Sequence, residues 1–242
     1  GNMDPYVLTH PLSTERMQLL EQKVRQMGGD WPENPERLYW FERMQAKIRG
    51  FLDRPERVLN DLADAEPTEP TLYARAVARH RLPAPREALD TMDRLLSMRP
   101  DDPYYLELKG QTLHENGRAE EAVPYYRRAV AAAPDQPLLK AGLGRALLAL
   151  GTPEADAEAL EVLKAARARD RGDPAALRAL ATAYSRAGDT GMATLATAER
   201  YALAGRTEDA LLHARRAAER LPRGSPAWLR AQDIIALDDD AE

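Results

Sequence analysis

The sequence predicts an all-α solenoid, a right-handed superhelix of helix-turn-helix repeats with about 12–13 helices. Three observations carry this. Apolar and small residues recur at a fixed spacing of 34 residues. Alanine is very abundant and aromatics are sparse, at 6% with two Phe; Ala loses almost no side-chain entropy in a helix and lets helices approach closely. Prolines flank the helical stretches, where a residue without an amide donor starts or stops a helix.

The clearest unit runs from Pro103 to Pro134. With Pro103 as position 1, Leu106 is at 4, Gly110 at 8, Leu113 at 11, Ala122 at 20, Tyr126 at 24, Ala129 at 27 and Pro134 at 32. This pattern resembles the tetratricopeptide repeat (TPR) signature. Small residues at 8 and 20 let the paired helices meet, Tyr126 fills the space between successive repeats, and Gly117 closes the first helix. One period earlier, the unit from Glu69 places Leu72, Ala76, Ala88, Leu95 and Pro100 at matching positions. One period later, the unit from Pro137 carries Leu143, Gly144, Leu147 and Gly151, then about three extra residues around Thr152 to Ala157 before Ala159, Leu163 and Ala166. A fourth unit opens at Pro174 with Leu177, Leu180, Ala181, Tyr184 and Gly188.

Both ends depart from this frame. Tyr201, Gly205, Ala210, Ala214, Ala217 and Pro222 fit a repeat that starts at Gly191, 17 residues after Pro174. That is half a period, so the helix near 191–204 must close one unit and open the next. Trp228 and Ile234-Ile235 read as a capping helix, and Asp238-Asp239-Asp240 as a frayed tail. Upstream, residues 34–68 read as a degenerate hairpin: Leu38, Phe41 and Ile48 form an apolar face, but Glu42 and Arg54 occupy the small-residue positions. Ser13 to Met27 reads as a capped helix with Met17, Leu20, Val24 and Met27 on one face, ended by Gly28-Gly29. The expected divisions are 1–33, 34–68, the repeats of 69–190, an irregular repeat and cap over 191–237, and the tail 238–242.

Composition narrows the function. With 34 basic and 39 acidic residues the net charge is −5, and acids interrupt Arg-rich stretches such as Arg167-Ala168-Arg169-Asp170-Arg171, which argues against a nucleic-acid binder. Without cysteine there are no disulfides or thiolate metal sites. No stretch approaches the ~18 apolar residues of a membrane span. The four histidines lie apart, at His10, His80, His114 and His213, and His114-Glu115 lacks the second His of a zinc-protease helix. Gly142 and Gly144 are explained by close helix packing. The chain itself is therefore expected to bind, without a catalytic, metal or cofactor site of its own.

A TPR stack offers a concave groove lined by its first helices. The repeat positions assign to it Tyr73, Val77 and His80; Tyr104, Glu107, Gln111 and His114; Leu138, Ala141 and Arg145; and Arg178, Thr182 and Arg186. Such an apolar, aromatic and arginine-bearing surface suits a protein or peptide partner, extended or helical. The Lys/Asn clamp of chaperone-binding TPR proteins is absent.

The segment Asp4-Pro5-Tyr6-Val7-Leu8-Thr9-His10-Pro11, followed by Arg16, resembles the stretch after the catalytic core of HtpX-like and BepA-type zinc metalloproteases, in which a TPR region follows. The chain opens Gly1-Asn2-Met3, which reads as the trimmed end of a longer protein. The resemblance implies that this is the recruitment arm of a zinc metalloendopeptidase whose catalytic domain, with its zinc, lies outside this sequence. It implies a periplasmic protein concerned with outer-membrane protein quality control. Its partners would be outer-membrane proteins or their assembly machinery, besides its own catalytic domain. His10 would gate the parent's zinc site. The alternatives left open are a free-standing TPR scaffold, a cytoplasmic location, and a His10-Pro11 pair that only turns the chain.

Overall fold

The computed structural model describes residues 13–26 and 34–236, with side chains from residue 18 onward in the first stretch. Among the described residues there are thirteen helices and no strand. They are α1 (Ser13–Gln26), α2 (Pro35–Leu52), α3 (Pro55–Asp61), α4 (Glu69–His80), α5 (Pro85–Met98), α6 (Pro103–Glu115) and α7 (Ala119–Ala132). Then come α8 (Pro137–Leu150), α9 (Pro153–Arg169), α10 (Pro174–Arg186), α11 (Thr190–Leu203), α12 (Thr207–Ala218) and α13 (Pro226–Ala236). The chain divides into two compact units, Gly1–Glu42 and Arg43–Glu242. In the first, Leu19, Leu20 and Val24 of α1 are exposed. The expectations for Thr9-His10-Pro11, the Met17 side chain, Met27-Gly28-Gly29 and the tail 238–242 lie outside the described residues.

Helix boundaries in the second unit follow local chemistry. Proline opens α3, α5, α6, α8, α9, α10 and α13, where its missing donor costs nothing and its fixed φ is already helical. The side chains of Thr68, Asp102, Thr152, Asp173 and Asp189 accept hydrogen bonds from first-turn amides, each worth about 1 kcal/mol. Gly117 and Gly151 adopt φ of 75° and 69° after α6 and α8, a conformation that a Cβ would strain.

Packing explains the small residues. A Cβ built on Gly110 would lie 2.9 Å from the Tyr126 ring, and one on Gly142 would lie 2.4 Å from its other edge. Tyr126 of α7 therefore occupies a slot that exists because α6 and α8 each omit a side chain. Gly144 does the same for Leu163 of α9. The three extra residues of the third unit extend its second helix: α9 has 17 residues and α7 has 14.

Three larger cores run along the unit. One joins α2–α6 around Val58, Leu72, Val77, Met92 and Leu95; the next joins α6–α10 around Tyr126, Leu147 and Leu163; the third joins α11–α13 around Leu195, Ala214 and Ile234. Met192 of α11 packs on both of the last two. Helix α11 also packs on α13, as α6 packs on α8 and α8 on α10. It is a second helix to α10 and a first helix to α12.

Helix α2 corrects one expectation. Leu38, Phe41 and Ile48 stand about half exposed, and the buried residues are Arg43, Ala46 and Gly50. The reason is steric: a Cβ on Gly50 would sit 2.6 Å from Val77 Cβ, so this small-residue face docks more closely than an apolar one could.

Candidate functional site

The first helices α4, α6, α8 and α10 present the predicted groove positions, and the surface changes character along them. At the α4 end it is closed. Arg43 of α2 is ion-paired with Asp102 and lies over the rings of Tyr73, Tyr104 and Tyr105, 5.5, 5.4 and 4.2 Å from their centroids. Asp102 also accepts the Tyr104 and Tyr105 amides at 3.0 and 3.1 Å, and Tyr105 donates to Glu69 at 2.7 Å. Tyr73 packs edge-on against Tyr105 at 5.0 Å. Tyr73 and Val77 are consequently 1% and 0% exposed. The expectation that they line an accessible groove is corrected: the degenerate hairpin covers them, and burial raises the Tyr73 phenol above its ordinary range.

The middle is polar and only partly open. His80 Nδ1 lies 2.9 Å from Thr112 Oγ1, and its Nε2 lies 3.3 Å from Glu115. Burial lowers the His80 pKa, opposed by the Glu115 carboxylate. Glu107 is 8% exposed. Burial raises its carboxyl, and the charges of Lys47 and Arg145 pull the other way. Gln111 is tied to Glu115 at 2.7 Å, and Tyr104 is half-buried under Arg43 and Lys47. Ala141 is buried. His114, with a buried Nδ1 that lacks a partner, and Arg145 are half-buried. Burial, then Arg145, lowers the His114 pKa. Leu138 is 51% exposed.

Toward α10 the surface opens into a hollow of about 560 Å³ lined by α10, α11 and α12. Arg178, Thr182 and Arg186 line it together with Arg200 and His213. No carboxylate lines it. Arg186 is held by Leu148 O at 2.8 Å and Asp156 at 2.7 Å, and Arg200 lies over the Tyr201 ring at 4.5 Å. The Arg178 guanidinium has no side-chain bond among the described residues and is exposed. Burial, then Arg216, keeps the His213 pKa below its ordinary value. Thr182, Thr194 and Thr197 donate to carbonyls one turn back, which leaves their oxygens as acceptors. Sequence reasoning located Arg178, Thr182 and Arg186 but missed Arg200. The doubled role of α11 was the signal that its residues belong to this surface.

Among the described residues no helix is long and apolar enough to cross a membrane, and no three His, Cys, Asp or Glu side chains are grouped to hold a metal ion.

A tetratricopeptide repeat model matches residues 73–137, roughly a quarter of the chain. No curated protein matches. Solved structures do. A double mutant of MamA RS-1 is 21% identical with a TM-score of 0.55, over 72% of this chain and 96% of that one. MamA from Desulfovibrio magneticus RS-1, residue 41 to its end, is 20% identical with a TM-score of 0.56, over 69% and 94%. YrrB, described as a TPR protein with an unusual peptide-binding site, is 18% identical with a TM-score of 0.53, over 72% and 90%. At these identities the likeness concerns the fold: this chain has a TPR-like α-solenoid fold.

Proposed function

We propose that this chain is a protein-interaction scaffold that receives an acidic peptide segment along its concave face. The segment would run from Gln111 past Leu138 and Arg145 to the hollow at Arg178 and Thr182. The observation that carries this reading is the hollow itself, in which three arginines and a histidine converge with no lining carboxylate. Leu138, exposed on α8, offers apolar area for an anchoring side chain. A guanidinium fork binds carboxylates in a defined geometry. An acidic segment bound there should lose affinity in Arg178→Glu and at raised salt. Binding indifferent to both would move the contact off this face.

A second reading attaches this scaffold to a protease. Thr9-His10-Pro11 with Arg16 supports it, and the family and structural matches concern the repeats alone. In that case the zinc belongs to the parent chain, His10 lies near it, the setting is periplasmic, and the groove recruits outer-membrane proteins or their assembly machinery. A free-standing scaffold, in the cytoplasm or elsewhere, accounts for the repeats equally well. The upstream reading frame decides. A His-Glu-x-x-His helix within it favours the protease arm; a start codon immediately before Met3 removes it.

A further inference from the structure

A second recess lies where the repeat frame changes, apart from the concave face. It is a cavity of about 310 Å³ bordered by α9, α10, α11 and α13. Lys164, Arg167, Arg171, Arg230 and a single carboxylate, Glu199, line it. Glu199 is shared: Arg167 reaches one oxygen at 3.1 Å and Arg230 the other at 3.6 Å. The Nε of Arg167 is buried without a hydrogen-bond partner, and the buried Nε of Arg230 has only that Glu199 oxygen, beyond hydrogen-bond reach. Lys164 is paired outside the cavity with Glu161 at 2.9 Å. Arg171 is exposed and makes no bond to another side chain among the described residues. The other half of the lining is apolar: Leu180, Tyr184, Met192 and Leu195.

One carboxylate cannot saturate two guanidiniums, and a buried N–H left unmatched is costly. The half-repeat step produces this imbalance. Helix α11 packs on both α10 and α13, and its Glu199 meets an arginine from α9 and one from α13.

We infer that this recess is an anion site for an amphipathic carboxylate, a carboxyl group on an apolar body of one residue's size. The C-terminal residue of a partner peptide that ends in Leu or Phe has this chemistry. The volume sits at the lower end of the roughly 300–1,000 Å³ of ligand pockets, so it admits a single residue and excludes a helix. A bare inorganic anion would leave the apolar floor empty. The entering carboxylate accepts from the Arg167 Nε–H, from the Arg230 guanidinium and from Arg171, and the side chain covers Leu180, Met192 and Leu195. This site does not depend on the concave-face reading.

The test is isothermal titration of the 242-residue protein with a pentapeptide ending in leucine, its C-terminal amide, and phenylacetate. The free acid is expected to bind at least about tenfold tighter than the amide. Arg230→Gln and Arg171→Gln should each weaken it by about tenfold, with Arg230→Lys in between. Circular dichroism confirms that each variant is folded. Arg178→Glu, in the concave hollow, should leave this binding unchanged whatever it does to acidic segments. Binding of phenylacetate together with the peptide acid marks a site for carboxylates generally, and binding of the peptide acid alone marks a chain terminus. Equal binding of acid and amide, absence of binding by any probe, or indifference to Arg230→Gln overturns the inference.

Discussion

Two arginine–carboxylate clusters sit at opposite ends of the second unit, and they are built differently. At the α2 end, Asp102 takes Arg43 and two backbone amides, while three tyrosine rings enclose the guanidinium. Both oxygens of that carboxylate accept hydrogen bonds, four in all. At the α11 end, Glu199 is divided between Arg167 and Arg230, neither buried Nε–H completes a hydrogen bond, and a cavity adjoins them. A saturated buried pair fixes structure, whereas an unsaturated one beside a cavity is prepared for a ligand. Residue type alone does not separate the two; the count of donors against acceptors does.

That contrast can be broken or sharpened by mutation. Arg43→Ala should have the largest effect. It strands Asp102 beneath the tyrosines and should cost about 3–5 kcal/mol in urea unfolding. A loss below about 1 kcal/mol would make the pair a surface contact in energetic terms. Gly142→Ala should cost about 1–3 kcal/mol, because its Cβ would meet the Tyr126 ring at 2.4 Å and so outweigh the ~1 kcal/mol that Ala gains in a helix. Thermal melting measures this, and stabilisation would mean that the slot is slack. Arg230→Gln should be milder, within about 1 kcal/mol, because its side chain is 41% exposed and such pairs contribute little.

Glu107 gives the smallest effect, and its sign depends on pH. Burial raises its folded pKa above the ordinary 4.5. Its contribution is therefore fully present below that pH and is lost as pH rises through the folded value. Glu107→Gln should melt higher than the wild type at neutral pH, with the difference vanishing below 4.5. A variant that is less stable at neutral pH would mean that Lys47 and Arg145 hold the carboxylate more strongly than burial opposes it.

The repeats were legible because each landmark has a local cause. Pro103, Gly110, Gly117 and Tyr126 each do a job visible within one period, and the structure places them in those roles. The step at Gly191 was legible as a break in that period. The closed end was not. Nothing local to Arg43 indicates that its partner is Asp102, 59 residues later. Tyr73 and Val77 fell into the groove set by repeat position, and only the contacts of Arg43 with Tyr73 and of Gly50 with Val77 reveal that α2 covers them. The cavity at Glu199 was invisible for the same reason: its charges come from α9 and the loop after it, α11 and α13, which are far apart in the chain.

The most direct measurement is selection of a random peptide display library on the wild-type protein, followed by titration of the enriched sequences against Arg178→Glu. Enriched peptides should share an acidic segment near an apolar residue, and Arg178→Glu should weaken them by about tenfold or more while leaving stability within about 0.5 kcal/mol. Peptides without acidic residues, or affinities that Arg178→Glu leaves intact, would contradict a concave face built to receive an acidic segment.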